Sequence, residues 1–366
     1  MIYQIDYISD QLRVKGYLGF PPDTAIDTIK AMLQHIQRMD QVCVMNTLAC
    51  SLHHRPASGD LHKDTASLPN SDAGACPVQA SDLDTRHDAP RTLDLQSAEG
   101  LAYGHHDQAG TNHGENIPDT GQPGVAGLIA DTSLAGSQVV SSPGKVKFPL
   151  IIYCRGGIGR VGAVKLKWIE EFAAQGYIVF APAYRGNEGS QGRDEFGGSD
   201  THDVLTAIHW LSQLPWIDSA RMHMLGFSRG AINAAQAAVR CSHISRLILW
   251  SGVSDLTQTY EERIDLRRMM KRVIGGTPNK VPDKYRQRSP LHLAEQLRCP
   301  VLLVHGTSDE LVAIEHSHRM LHRLKELRYH VDAHFYLGLR HHFPALQHAA
   351  AIERMFDWLK SPVPYP

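Results

Sequence analysis

The chain has 366 residues and a formal net charge of −1, with 37 Lys and Arg against 38 Asp and Glu. This balance leaves no basic footprint for nucleic acid and no polybasic patch for a membrane surface. No apolar run reaches the roughly 18–20 residues that cross a bilayer, and the first 20 residues lack the basic and apolar regions of a signal peptide, so a cytoplasmic protein is expected.

Near the amino terminus, LRVKGYLGF (12–20) alternates like a strand and is stopped by Pro21-Pro22. Residues 24–52 place Ile26, Ile29, Met32, Leu33, Ile36 and Met39 at helical spacing, which predicts a helix covering part of the main domain, a possible cap within 21–50. The character of the chain then changes. Residues 51–144 hold four basic and twelve acidic residues, a net of −8, and Tyr103 is their one aromatic. Such a segment buries too little apolar surface to offset its ordering entropy, and we expect a disordered, acidic insertion. Its seven histidines show no metal-ligand spacing. The six cysteines are likewise without such spacing and read as free thiols.

From residue 146 onward strands and helices alternate. Apolar strands are predicted at 148–154, 177–182, 222–227, 246–252, 300–306 and 331–337, with helices at 163–175, 201–214, 229–240, 316–327 and 345–359. This alternation implies crossover connections and a mostly parallel sheet, whose ligands bind beyond the carboxyl ends of the strands. The expected organisation is a strand region at 1–20, a helix within 21–50, the insertion at 51–144 and an α/β domain at 146–366.

The strand ends carry chemistry. Strand 222–227 runs into Gly226-Phe227-Ser228-Arg229-Gly230 and then a helix, the strand–turn–helix setting of a nucleophilic serine. A serine hydroxyl needs a base, and the base needs an acid to fix its tautomer. Asp309 follows strand 300–306, and Asp255 follows the preceding strand as the alternative acid. The last strand leads to His341 and His342, one of which is expected to be the base. An oxyanion hole needs backbone donors. The N–H of Arg229 is one candidate, and the glycine-rich loop Arg155-Gly156-Gly157-Ile158-Gly159 offers the other. Arg185 is a candidate to bind a substrate carboxylate, against a structural pairing with Glu195 or Asp203. Trp168, Trp210, Trp216 and Trp250 read as core.

IIYCRGGIG (151–159), FAPAYRGNEGSQG (180–192), DVLTAIHWL (203–211), MLGFSRG (224–230) and SPLHLAEQLRCPVLLVHGTSDELV (289–312) resemble the catalytic domain of the prolyl oligopeptidase family, within the α/β-hydrolase fold. The resemblance runs from about 146 to 360 and implies catalytic roles for Ser228, Asp309 and, by the register of YLGLRHHF (336–343), His341. The family's oxyanion loop reads Arg155-Gly156-Gly157-Ile158 here, which favours backbone donors from Gly157 or Ile158 over a tyrosine side chain. The implied function is serine peptidase-like acyl transfer to water. Carboxylesterase action on small esters is the alternative, and a non-catalytic interaction protein on this scaffold is the rival from another class. A small-molecule or short peptide substrate is expected, with no cofactor, metal, nucleic acid or membrane partner and no signal for an oligomeric state.

Overall fold

The computed structural model describes residues 1–39, 42–43, 47–48 and 146–362. The acidic insertion expected at 51–144, with its histidines, lies outside them.

The chain opens with an antiparallel hairpin, β1 (Ile2–Ser9) and β2 (Leu12–Gly19). Its two turn residues, Asp10 and Gln11, take φ of 47° and 64°, the left-handed pair that matches strand twist in a two-residue turn. Helix α1 (Ile26–Ile36) buries Ile29, Met32 and Ile36. The helix expected over 24–52 is therefore shorter. Beyond it, β3 (Val42–Cys43) and β4 (Thr47–Leu48) pair with β1, with Val42 opposite Tyr7. Burial of Val42 in a strand ladder overrides the helical spacing of the sequence there.

The remaining strands are β5 (Phe148–Cys154), β6 (Ile178–Pro182), β7 (Ile217–Phe227), β8 (Ile244–Trp250), β9 (Val301–Gly306) and β10 (Val331–Tyr336). Between and after them run α2 (Leu166–Ala173), α3 (Asp200–Ser212), α4 (Gly230–Arg240), α5 (Leu256–Glu262), α6 (Arg267–Ile274), α7 (Pro282–Gln287), α8 (Pro290–Leu293), α9 (Glu315–Glu326) and α10 (Ala345–Lys360). The sheet order is β10-β9-β8-β7-β5-β6-β2-β1-β3, and β5 to β10 are mutually parallel.

Both faces are covered, as a parallel sheet requires. In β5, Leu150, Ile152 and Cys154 point into one apolar layer with residues of α1, α3, α4 and α9. Ile151 and Tyr153 point into the other, with Trp168 and Phe172 of α2 and Met355 and Phe356 of α10. A third cluster, including Val253, Leu256, Met270 and Val312, gathers α5 to α7 over the carboxyl ends of the strands. The direction of winding reverses between β5 and β7, and such a switch point leaves a crevice beyond the strand ends. Helix α1 is not over that crevice. Its His35 ring packs 5.2 Å from Trp216, at the amino end of β7, on the opposite rim. Among the described residues no helix is long and apolar enough to cross a membrane.

Candidate active site

Ser228 stands in the turn between β7 and α4 with φ +55°, a conformation that side-chain-bearing residues rarely adopt. Main-chain bonds hold it there: its N–H donates to Trp250 O at 2.9 Å, and its carbonyl accepts from Ala231 and Val253 N–H, each at 3.1 Å. The flanking glycines are steric requirements. A Cβ at Gly226 would lie 2.5 Å from Ala231 Cα, and one at Gly230 would collide with Cys154 O and lie 2.6 Å from Arg155 O. Gly230→Ala is accordingly expected to destabilise the fold by at least about 3 kcal/mol, measured by urea unfolding, because rigid backbone lies on the far side of the contact.

The candidate acid and base follow neighbouring strands. Gly306, closing β9, allows the loop after β10 to approach: Ser308 N–H donates to Leu339 O at 2.9 Å, and a Cβ at Gly306 would collide with that same carbonyl. This close approach sets His341 beside Asp309, with Nδ1 2.8 Å from Oδ2 and 3.0 Å from Oδ1. Asp309 Oδ1 also accepts from the N–H groups of Leu311 at 2.9 Å and Val312 at 3.0 Å. His305 Nε2 lies 3.2 Å from Oδ2 and 2.9 Å from Val312 O, both acceptors, so that nitrogen carries the proton. Burial would raise the Asp309 pKa, yet the hydrogen bonds from His305 and His341 outweigh it and hold the carboxyl well below the usual range.

Sequence reasoning missed two features of this site. One is His305, visible only as a polar residue inside a buried strand. The other is the charged network behind the loops. Arg155 is 1% exposed and donates from Nη1 to the carbonyls of Gly156 at 3.0 Å and Gly157 at 3.2 Å. In a planar trans peptide the carbonyl of one residue and the N–H of the next point in opposite directions. The N–H groups of Gly157 and Ile158 therefore face away from the guanidinium, and both residues line the crevice. No hydrogen bond among the described residues uses these two N–H groups or that of Arg229. The Arg229 side chain points away from the crevice, onto Asp194 at 2.5 Å and Asp200 at 2.8 Å, and both it and Arg155 pack over the Tyr184 ring.

Ser228, Arg229, Gly157, Ile158, His341 and His342 thus line one pocket of about 250 Å³, walled by apolar side chains such as Val253, Leu266, Met269 and Val312. Asp309 lies behind it on His341. Three other expectations are placed elsewhere. Arg185 is not brought to the pocket. It is buried against Asp203, with Nη2 to Oδ1 at 2.6 Å, and against Asp10 at 3.0 Å, which corrects the substrate-contact reading in favour of a structural pair. Asp255 caps α5, accepting from Thr257 N–H at 2.8 Å, and pairs with Arg319. His342 turns its Nδ1 to Lys165 Nζ at 3.3 Å. Trp168 is core, as expected, with its ring edge-to-face against Phe227 at 4.7 Å. Cys154, Cys241 and Cys299 are free thiols. Among the described residues no group of three His, Cys, Asp or Glu side chains forms a metal cluster.

Comparison with known proteins agrees with this architecture. The model of the prolyl oligopeptidase family matches residues 164–363. The uncharacterized peptidase YtmA of Bacillus subtilis is 41% identical over 238 residues, 65% of this chain and 89% of that protein. The dipeptidyl-peptidase 5 of Porphyromonas gingivalis is 27% identical over 177 residues, but the chain spans only 26% of it. Among solved structures, a puromycin-hydrolyzing peptidase of Mycobacterium tuberculosis superposes with a TM-score of 0.55 at 25% identity, covering 62% of this chain and 36% of that one. With more than half its length matched by the family model, the chain belongs to the prolyl oligopeptidase family and is a serine hydrolase on an α/β-hydrolase fold.

Proposed function

We propose that the chain hydrolyses peptide or amide bonds through an acyl-enzyme formed on Ser228. The observation that carries this reading is the Asp309–His341 pair at 2.8 Å opening onto the pocket that Ser228 lines from its strained turn. Asp309 fixes the proton on Nδ1 of His341 and leaves Nε2 to take the Ser228 proton. The hydroxyl oxygen attacks the carbonyl, and the N–H groups of Arg229, Gly157 and Ile158 receive the negative charge that develops. The imidazolium returns its proton to the leaving amine. Water then repeats the cycle on the ester and frees the acid.

A fluorophosphonate probe separates this reading from a non-catalytic interaction protein: covalent labelling at Ser228, located by peptide mass analysis, is expected. Labelling should vanish in His341→Ala and persist, at lower rate at most, in His342→Ala. Loss in His342→Ala alone would move the base to that residue. Comparing kcat/KM on an aminoacyl anilide and a short acyl ester then places the enzyme as peptidase or as carboxylesterase.

A further inference from the structure

Three residues that line the pocket have cationic side chains, Lys165, Arg229 and Arg263, and Arg229 turns its guanidinium away from it. Two are neutralised. Arg229 is paired with Asp194 and Asp200, and Arg263 holds Asp265 through two bonds of 2.7 and 2.9 Å. Lys165 differs. Its ammonium lies over the faces of Trp168 and Phe227, 5.4 and 5.2 Å from the ring centroids, and 3.3 Å from the uncharged acceptor side of His342. No nearby charge perturbs it; burial alone lowers its pKa. Nearby carboxylates are turned elsewhere: Glu171 to His348 at 3.0 Å and Lys167 at 3.6 Å, Glu188 to Val164 N–H and the Tyr17 hydroxyl, and Glu310 to Arg340 at 3.6 Å. No Asp or Glu lines the pocket. Lys165 also stands at the amino end of α2, where the helix dipole adds positive potential.

The position decides what this charge would meet. The Phe227 ring packs on both His341, at 4.9 Å, and His342, at 5.5 Å, and Lys165 sits over that same ring. The ammonium is therefore on the imidazole side of Ser228, where the base hands its proton to the departing amine. With Lys165 Nζ 3.3 Å from His342 and the His342 ring 5.0 Å from that of His341, the ammonium is within reach of a leaving group one to three residues long, since an extended residue spans about 3.3–3.6 Å.

We infer that Lys165 binds a free carboxylate on the leaving group, so that the preferred substrates are short peptides cut close to their carboxyl terminus. This rests on the acyl-transfer reading of Ser228 and adds the substrate class. The apolar walls suit an uncharged acyl part, and the unpaired ammonium supplies the one charge that the pocket leaves unmatched.

The test compares N-acetyl-Ala-Phe-Ala bearing a free carboxylate with its carboxamide, cleaved at the Phe–Ala bond and followed by chromatography. The acid is expected to exceed the amide by about tenfold in kcat/KM, the scale of one partly exposed charge-assisted contact. Lys165→Met should bring the ratio to about one, Lys165→Arg should keep most of it, and added salt should shrink it in the wild type. An amide cleaved as fast as the acid, or a preference that survives Lys165→Met, overturns the inference. So does failure to cleave either peptide by a protein that still takes the fluorophosphonate label. Absence of label instead defeats the serine mechanism itself.

Discussion

Ser228→Ala is expected to lower kcat on a peptide anilide by about 10⁶-fold, the loss seen when a triad serine is removed. The change deletes one oxygen and little else. The bonds that hold residue 228 in place use its backbone N–H and carbonyl, which alanine retains. Alanine meets the same steric cost at φ +55° that serine does. Thermal unfolding should therefore shift by no more than about 1 kcal/mol, so a dead enzyme would be a folded one. The residual rate reports the donors of Arg229, Gly157 and Ile158 acting without a nucleophile. Turnover near the wild-type level in this variant would refute the acyl-enzyme.

Asp309→Asn should cost about 10⁴-fold in kcat, and the surrounding bonds say why. Two backbone donors, Leu311 and Val312, converge on Oδ1, so the amide oxygen of the variant must sit there. The NH₂ group is then forced into the place of Oδ2, facing His341 Nδ1 and His305 Nε2. His341 becomes the acceptor at Nδ1 and carries its proton on Nε2, the nitrogen that must be free to take one from Ser228. His305, a donor at Nε2, loses one of its two acceptors. A loss below about tenfold would show that the tautomer is set by something other than this carboxylate. In the wild type the depressed Asp309 pKa keeps the carboxylate ionised. The stability this contributes is complete above the unfolded-state pKa and is lost as pH falls through the lower folded value.

The strands β5, β6, β8 and β9 were legible because strands buried on both faces read as unbroken apolar runs. β7 extends back to Ile217 because that residue pairs with Phe148 across a register shift, through polar residues that carry no strand signal. Ser228, Asp309 and His341 could be picked out as candidates because each follows a strand end, which is a local property. What joins them was not. Arg155, Asp194 and Arg229 lie 35 or more positions apart at their ends and meet only once β5 and β7 are neighbours. The same holds for Lys165 and His342, which eight α-helices and five strands separate in the chain.

The buried charges behind the glycine-rich loop and the Ser228 turn constrain how this enzyme can diverge. Arg155, Arg229, Asp194 and Asp200 are each at most 6% exposed and neutralise one another. Losing one member strands its partner without solvent, typically at about 3–5 kcal/mol, whereas exchanging a whole pair for apolar residues can be nearly neutral. Drift at these positions must therefore proceed by concerted replacement, and a lineage that changed Arg155 alone would have to find a new foundation for its glycine-rich loop in the same step.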